Sequence, residues 1–189
     1  DAPLDMRMSC SGISAADIVN TVAEKELADL IYKYGEERKS RQIAAKIAAA
    51  RMQKNIQTTK ELAEIIYSVI YKTPNSIDPA TRTFQALRIA VNNELEELEK
   101  GLNGAALRLI SGGKLVVVSF HSLEDRIVKT FFKENSGSRR HVSRYRPEND
   151  VNTDNSLFCE CSKAIVPDRQ ETEINKRSRS AKLRFAVKR

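Results

Sequence analysis

The 189-residue sequence has no tryptophan, two histidines, five prolines, seven glycines and three cysteines. Each shortage excludes something. An odd cysteine count argues against a disulfide framework and for a reducing, cytoplasmic compartment. Cys159-Glu160-Cys161 lacks the second Cys pair or nearby His that four zinc ligands require, so alternate positions on a strand explain it and no metal is expected. The glycines include no G-x-G, which leaves no Gly-rich loop to cradle phosphates. Neither a Ser-His-acid nor a Cys-His arrangement is legible. Apolar runs are all too short to span a bilayer, so no membrane partner is expected. Residues 1–5 lack the basic and apolar regions of a signal peptide, and position 1 is not Met, which fits a chain cut from something longer.

What is present is charge, and it is unevenly placed. The net charge is +7. Residues 1–125 hold 16 Lys/Arg against 17 Asp/Glu, whereas residues 126–189 hold 16 against 8. A basic block on a nearly neutral body is the electrostatic footprint of a polyanion-binding protein, although a solvated basic surface has the same composition.

Along the chain the apolar period changes. Residues 11–73 read as short helices with short connections. Ser14-Ala-Ala-Asp17 is a capping-box start, and apolar positions then recur to Tyr34, with Gly35 as a left-handed stop. A second helix runs from Glu36 to Met52, and Thr58-x-x-Glu61 caps a third. Thr73-Pro74-Asn75-Ser76 is turn chemistry at a subdomain boundary. Asp78-Pro79 opens a further helix through Leu98. Lys114–Phe120 is a continuous β-branched run, expected as a strand buried on both faces of a parallel sheet. Ser122-Leu-Glu-Asp125 reads as the capping box of the next helix, and residues 135–156 as a polar loop. Leu157–Val166 reads as a strand, Asp168–Ile174 as a short helix, and Ala181–Lys188 as an antiparallel strand near an edge. Helix, strand, helix in this order is the second half of a doubly wound α/β sheet.

Three segments could carry chemistry. Ser119-Phe-His-Ser-Leu-Glu-Asp-Arg126 lies where a strand ends and a helix begins, the place where open α/β sheets bind ligands. The same residues also serve to satisfy a helix N-terminus, with Arg126 paired to Glu124 or Asp125, and spacing supports both readings equally. Asn175–Arg184 interleaves basic side chains with hydroxyls, and Arg139, Arg140, Arg144 and Arg146 surround Tyr145, on which a base could stack. In Pro3-Leu-Asp-Met-Arg-Met8, Asp5 and Arg7 could simply pair with each other.

Taken together, these segments resemble a known family. Pro3-Leu-Asp-Met-Arg-Met8, Tyr34-Gly-Glu-Glu37, Thr81-Arg-Thr-Phe-Gln-Ala-Leu-Arg88, Ser119-Phe-His-Ser-Leu-Glu-Asp-Arg126 and Arg177-Ser-Arg-Ser-Ala-Lys-Leu-Arg184 occur in the order seen in the ribosomal RNA small-subunit methyltransferase H family, also called MraW. The resemblance implies an α/β fold, the carboxy-terminal half of a Rossmann-like methyltransferase sheet plus an inserted all-helical domain. Residues 1–10 would be an active-site-side loop, 11–76 the inserted helical domain and 77–189 the second half of the Rossmann-like domain. It implies methyl transfer from S-adenosylmethionine to N4 of a decoding-centre cytidine in 16S rRNA, with the small ribosomal subunit as partner.

His121 and Ser122 are the expected catalytic pair, contacting the cytosine or orienting the proton acceptor. Asp5, Arg7, Ser119, Arg126, Tyr145, Arg177 and Arg179 are the expected substrate contacts. The family's Gly-rich cofactor loop precedes the first motif and has no counterpart here, so the chain alone is expected to be inactive and to bind the cofactor poorly. Asn175-Lys176 replaces the family's usual Asn-Pro. The competing classes are a non-catalytic basic RNA-binding fragment and a helical protein-interaction module.

Overall fold

The computed structural model describes residues 1–9, 11–73, 77–136 and 156–189. The chain forms two compact units, Asp1–Glu94 and Leu95–Arg189.

The first unit is helical: α1 (Ala15–Thr21), α2 (Glu24–Gly35), α3 (Ser40–Arg51), α4 (Thr59–Tyr67) and α5 (Thr81–Asn92). Ser14 and Thr58 form reciprocal capping boxes with Asp17 and Glu61, as the spacing predicts. Leu27, Ile31, Ile43, Ile47, Leu62, Ile66 and Leu87 build the core, each apolar face repeating at helical spacing. Leu4 joins that core from the leading segment, whose Leu4 N–H donates to the Gln57 carbonyl at 2.9 Å. The segment read as a separate loop is thus stitched along the start of α4, and α5 packs on α2.

Two sequence expectations change here. The helix expected from Ile18 to Tyr34 is interrupted at Val22-Ala23, which are extended. Neither residue is a breaker. The break is stabilised from a distance, because Arg51 donates to the carbonyls of Val19 and Val22 at 2.9 and 2.7 Å and satisfies the end of α1. Gly35 ends α2, but the left-handed residue is Glu36 (φ 52°). A Cβ on Gly35 would lie 2.5 Å from the Arg82 carbonyl oxygen, so the glycine permits the close approach of α2 and α5. Gln85 reinforces it by donating to the Tyr34 carbonyl at 3.0 Å. The Tyr34–Glu37 and Thr81–Arg88 motifs are therefore one packing contact.

The second unit contains α6 (Glu94–Arg108, all but its first residue), β1 (Lys114–Ser119), α7 (Ser122–Asn135), β2 (Phe158–Cys161), α8 (Arg169–Ile174), a 3-10 turn (Lys176–Ser180) and β3 (Lys182–Lys188). The sheet order is β1-β3-β2, with both pairings antiparallel. The expected edge strand, β3, is the central one of the three, because β2 occupies its second edge. Leu102 and Ala106 of α6, Val128 and Phe132 of α7, Phe158 and Ala186 form the core, with Leu115 and Val117 packed against it. The rings of Phe131, Phe132 and Phe158 meet edge to face or tilted, with centroids 5.6–6.2 Å apart.

β1 is not buried on both faces. Leu115 and Val117 face the core, while Val116 and Val118 are 55% and 48% exposed, and Phe120 just beyond the strand is 56% exposed. Among the described residues β1 pairs on one edge only. Its apolar run thus has an open face and an open edge.

Replacing Gly35 by Ala forces α2 from α5. Chemical denaturation is expected to show a loss of about 1–3 kcal/mol, the cost of overpacking a tight contact. Unchanged stability would contradict the packing role.

Candidate functional site

The strand-to-helix junction after β1 is built from side chains that hold one another. Backbone amides at the start of a helix lack carbonyl partners. At α7 part of this need is met reciprocally. His121 is the N-cap and its Nδ1 accepts from the Glu124 N–H at 3.3 Å. Glu124 Oε2 accepts from the N–H groups of Phe120 and His121 at 2.8 and 3.3 Å. The capping box therefore starts at His121, one residue before the expected Ser122.

The reason for the shift lies in the next residue. Asp125 is drawn to the sheet instead: Arg184 Nε and Nη2 donate to its two oxygens at 2.7 and 3.2 Å, and Lys182 Nζ at 3.2 Å. Only 8% of Asp125 is exposed. Its hydrogen bond from Arg184, reinforced by Lys182, holds the carboxyl below its ordinary range despite burial. Lys182 and Arg184 stand opposite Ser119 and Val117 in the register, so one carboxylate grips the end of the sheet on the α7 side.

The capping arrangement limits what His121 can do. An imidazole whose Nδ1 lone pair accepts from Glu124 is neutral at that nitrogen and carries its proton on Nε2. Nε2 lies 3.5 Å from Glu124 Oε1, and the side chain is 9% exposed. The ring is thus held in place with its Nε2 buried, not presented as a ready proton acceptor. Ser122, the first helical residue, is exposed, and Ser119 is buried at the strand end. Arg126 is exposed one turn along α7.

Arg177 and Arg179 lie in the 3-10 turn, both exposed, just before β3. Asn175 caps that turn, its side chain accepting from the Arg177 N–H at 3.1 Å. Because Lys182 pairs with Ser119, this turn enters the sheet at the end where α7 begins. The structure thus gathers Ser119, His121, Ser122, Arg126, Arg177 and Arg179 at one end of the second unit. Tyr145 and the arginines around it lie outside the described residues.

Asp5 and Arg7 belong to the first unit and pair with each other. Arg7 Nε and Nη2 donate to Asp5 at 2.6 and 2.8 Å. That side-chain hydrogen bond pulls the Asp5 pKa down to about 2. Between them Met6 takes a left-handed conformation (φ 64°), uncommon for a residue with a side chain. Asn92 latches the turn, donating to the Met6 carbonyl and accepting from the Met8 N–H, both at 2.8 Å. Sequence reasoning missed Asn92, Lys182 and Arg184 as organisers of these segments. The signal available for the last two was that they end the basic motif facing β1.

The family model of the MraW methylases matches residues 1–189, the whole chain. The chain belongs to the MraW methylase family. It is 53% identical over its entire length to a protein of Paramagnetospirillum magneticum named ribosomal RNA small subunit methyltransferase H, and covers 59% of that protein. A Rickettsia bellii protein of the same name is also 53% identical, with 62% covered. A third, from Methylobacterium nodulans, is 53% identical over 185 residues, with 55% covered. The chain thus spans well under two thirds of the length of these curated relatives. In this MraW-family chain, the motif at residues 119–126 is the capping box and the sheet clamp together.

Asp125 should matter to stability more than any exposed ion pair. Removing one partner of a buried pair leaves the others uncompensated, so Asp125→Ala is expected to cost roughly 3 kcal/mol. The carboxylate is the form that binds Arg184. Its contribution is therefore present above its ordinary titration near 3.8 and lost as pH falls below it. Acid titration of thermal stability should show a smaller loss between neutral and acid pH for Asp125→Asn than for the parent. An equal loss would contradict the clamp.

Proposed function

We propose that this chain is the greater part of an S-adenosylmethionine-dependent methyltransferase that modifies N4 of a cytidine in the decoding centre of small-subunit 16S rRNA, and that the chain by itself is inactive. The observation carrying this reading is its 53% identity, end to end, to relatives named for methylating small-subunit ribosomal RNA. On this reading residues 11–76 are the inserted helical domain and residues 77–189 the closing half of the Rossmann-like domain. Protein and RNA meet in a reducing cytoplasm.

The half-open sheet supports the reading. A doubly wound sheet has helices on both faces and strands on both edges. β1 has an apolar face formed by Val116, Val118 and Phe120 and an unpaired edge among the described residues. The remaining length of the relatives is enough to supply what would cover them.

S-adenosylmethionine would supply an electrophilic methyl group. The described residues do not build its site alone. At the junction from β1 into α7 the amides of Phe120, His121 and Glu124 are taken up by the His121–Glu124 box, and no described glycine follows a strand directly. On this reading most of the grip on the cofactor belongs to the part of the relatives that this chain does not cover.

What this chain supplies is the handling of RNA and base. The cytosine amine is a poor nucleophile because its lone pair is delocalised into the ring. It must leave its stack and be held in line, with a group near its proton. Ser122, exposed at the first position of α7, and His121, fixed beside it, meet the base. The box fixes the His121 ring with its Nε2 buried, so His121 acts by positioning the junction. Arg126, Arg177 and Arg179 lie towards that end of the unit and hold phosphates, and Tyr145, outside the described residues, is a further expected RNA contact. Asp5 and Arg7, on the first unit, are proposed as further substrate contacts, whereas Ser119, buried at the strand end, acts by supporting the junction.

The test uses full-length protein, methyl-labelled S-adenosylmethionine and unmodified small subunits. Label should be recovered as N4-methylcytidine, and His121→Ala or Ser122→Ala should slow its appearance about 100-fold or more. Label on another atom would refute the substrate. Near-parental rates for both variants would remove the junction from the chemistry. Calorimetry on the 189-residue chain should show no micromolar binding of S-adenosylmethionine, and such binding would contradict the division of labour.

A further inference from the structure

We propose that the exposed face of α3 is a second RNA-backbone contact, on the helical unit and separate from the basic carboxy-terminal block. The proposal rests on the RNA-modifying reading above and extends it to a surface that the charge distribution of the whole sequence conceals. Residues 1–125 are nearly neutral as a whole, yet residues 38–60 contain seven Lys/Arg and no Asp/Glu. The acidic residues of the first unit are elsewhere, so neutrality in total hides a local field.

The placement of those cations is what gives the field a face. Four of the seven are spent inside the unit. Lys39 donates to the Val69 carbonyl, Arg51 closes α1, and Lys54 and Lys60 pair with Glu61 and Glu64. Arg38, Arg41 and Lys46 make no hydrogen bond or ion pair among the described residues, and all three are exposed. Ser40, Ile43, Ala44 and Ile47 are the buried stripe of α3. At 100° per residue the opposite face carries Arg41, Gln42, Ala45, Lys46 and Ala49, all exposed, with Arg38 in the turn leading into it. Arg41 and Lys46 flank a strip of one amide and two alanines.

That combination suits a phosphate backbone. Small side chains let a sugar-phosphate strand lie close to the helix, while flanking cations reach its charges, and no neighbouring carboxylate on α3 competes. Gln42 adds a neutral donor. A helix face meant for an apolar protein partner would show Leu, Met or aromatic residues at these positions instead. Contacts of this kind fix where an RNA lies without reading its sequence, and each one displaces condensed counterions.

The experiment compares salt dependence of binding. Full-length protein and its Arg38→Gln/Arg41→Gln/Lys46→Gln variant are titrated with a 16S rRNA decoding-region fragment at several salt concentrations. Each lost phosphate contact lowers the slope of log K against log salt by about 0.7–0.9, so the variant should lose about 2 units of slope. An Arg41→Lys/Lys46→Arg variant should keep the parental slope. All substituted positions are exposed, so thermal melting should match the parent, and a variant that melts early is replaced by the single Lys46→Gln, with an expected loss of about 0.8. A parental protein that binds the fragment, with an unchanged slope in the neutralised variant, overturns this inference alone and leaves the face to an acidic protein partner or solvent. A parental protein that does not bind the fragment at all overturns the RNA-modifying reading with it.

Discussion

A carboxylate taken out of water is costly unless cations and hydrogen bonds replace its hydration, and Asp125 is replaced on both oxygens. The partners come from alternate, same-face positions of β3, two residues apart. One side chain in the first turn of α7 therefore fixes the helix against the sheet in both translation and rotation. With Asp125 turned inward, Val128 and Phe132 fall on the core at helical spacing, and Glu124 is turned back towards the strand end. The cap, the position of His121 and the exposure of Ser122 follow from that rotation.

The two units resolve their apolar surface differently. The helical unit closes on itself, because five short amphipathic helices and the inserted Leu4 bury a continuous core. The second unit closes on one side only. α6 and α7 cover one face of the three strands, while Val116 and Val118 on the other face of β1 stay about half exposed. An exposed β-branched strand with an unpaired edge invites further pairing.

Much of this was legible in the sequence where a local rule decides. Ser14 and Thr58 with their acids three residues on are caps because the geometry is entirely local. Lys114–Ser119 and Lys182–Lys188 follow from their apolar period, and the short helix Arg169–Ile174 starts at the Asp168 cap within the range expected for it. What could not be read depends on partners distant in sequence. The break at Val22-Ala23 is stabilised by Arg51, some thirty residues later, and Asn93 takes a left-handed conformation between α5 and α6 with no glycine to mark it. At the junction two acidic residues each stood three places after a possible cap. Choosing Glu124 over Asp125 required knowing that Arg184 would claim the latter. The Asp5–Arg7 pair was foreseen as one alternative, whereas its latch to Asn92 joins residues more than eighty apart.

The coupling between Asp125 and Arg184 is the quantity on which this description of the junction depends. A double-mutant cycle with Asp125→Ala and Arg184→Ala, read by denaturant unfolding, isolates it from the loss of packing in each single variant. The account predicts a coupling of about 1.5 kcal/mol or more, within the range measured for close charge pairs. Additive single effects, with coupling near zero, would contradict it, and would mean that α7 is held to the sheet by its apolar face alone.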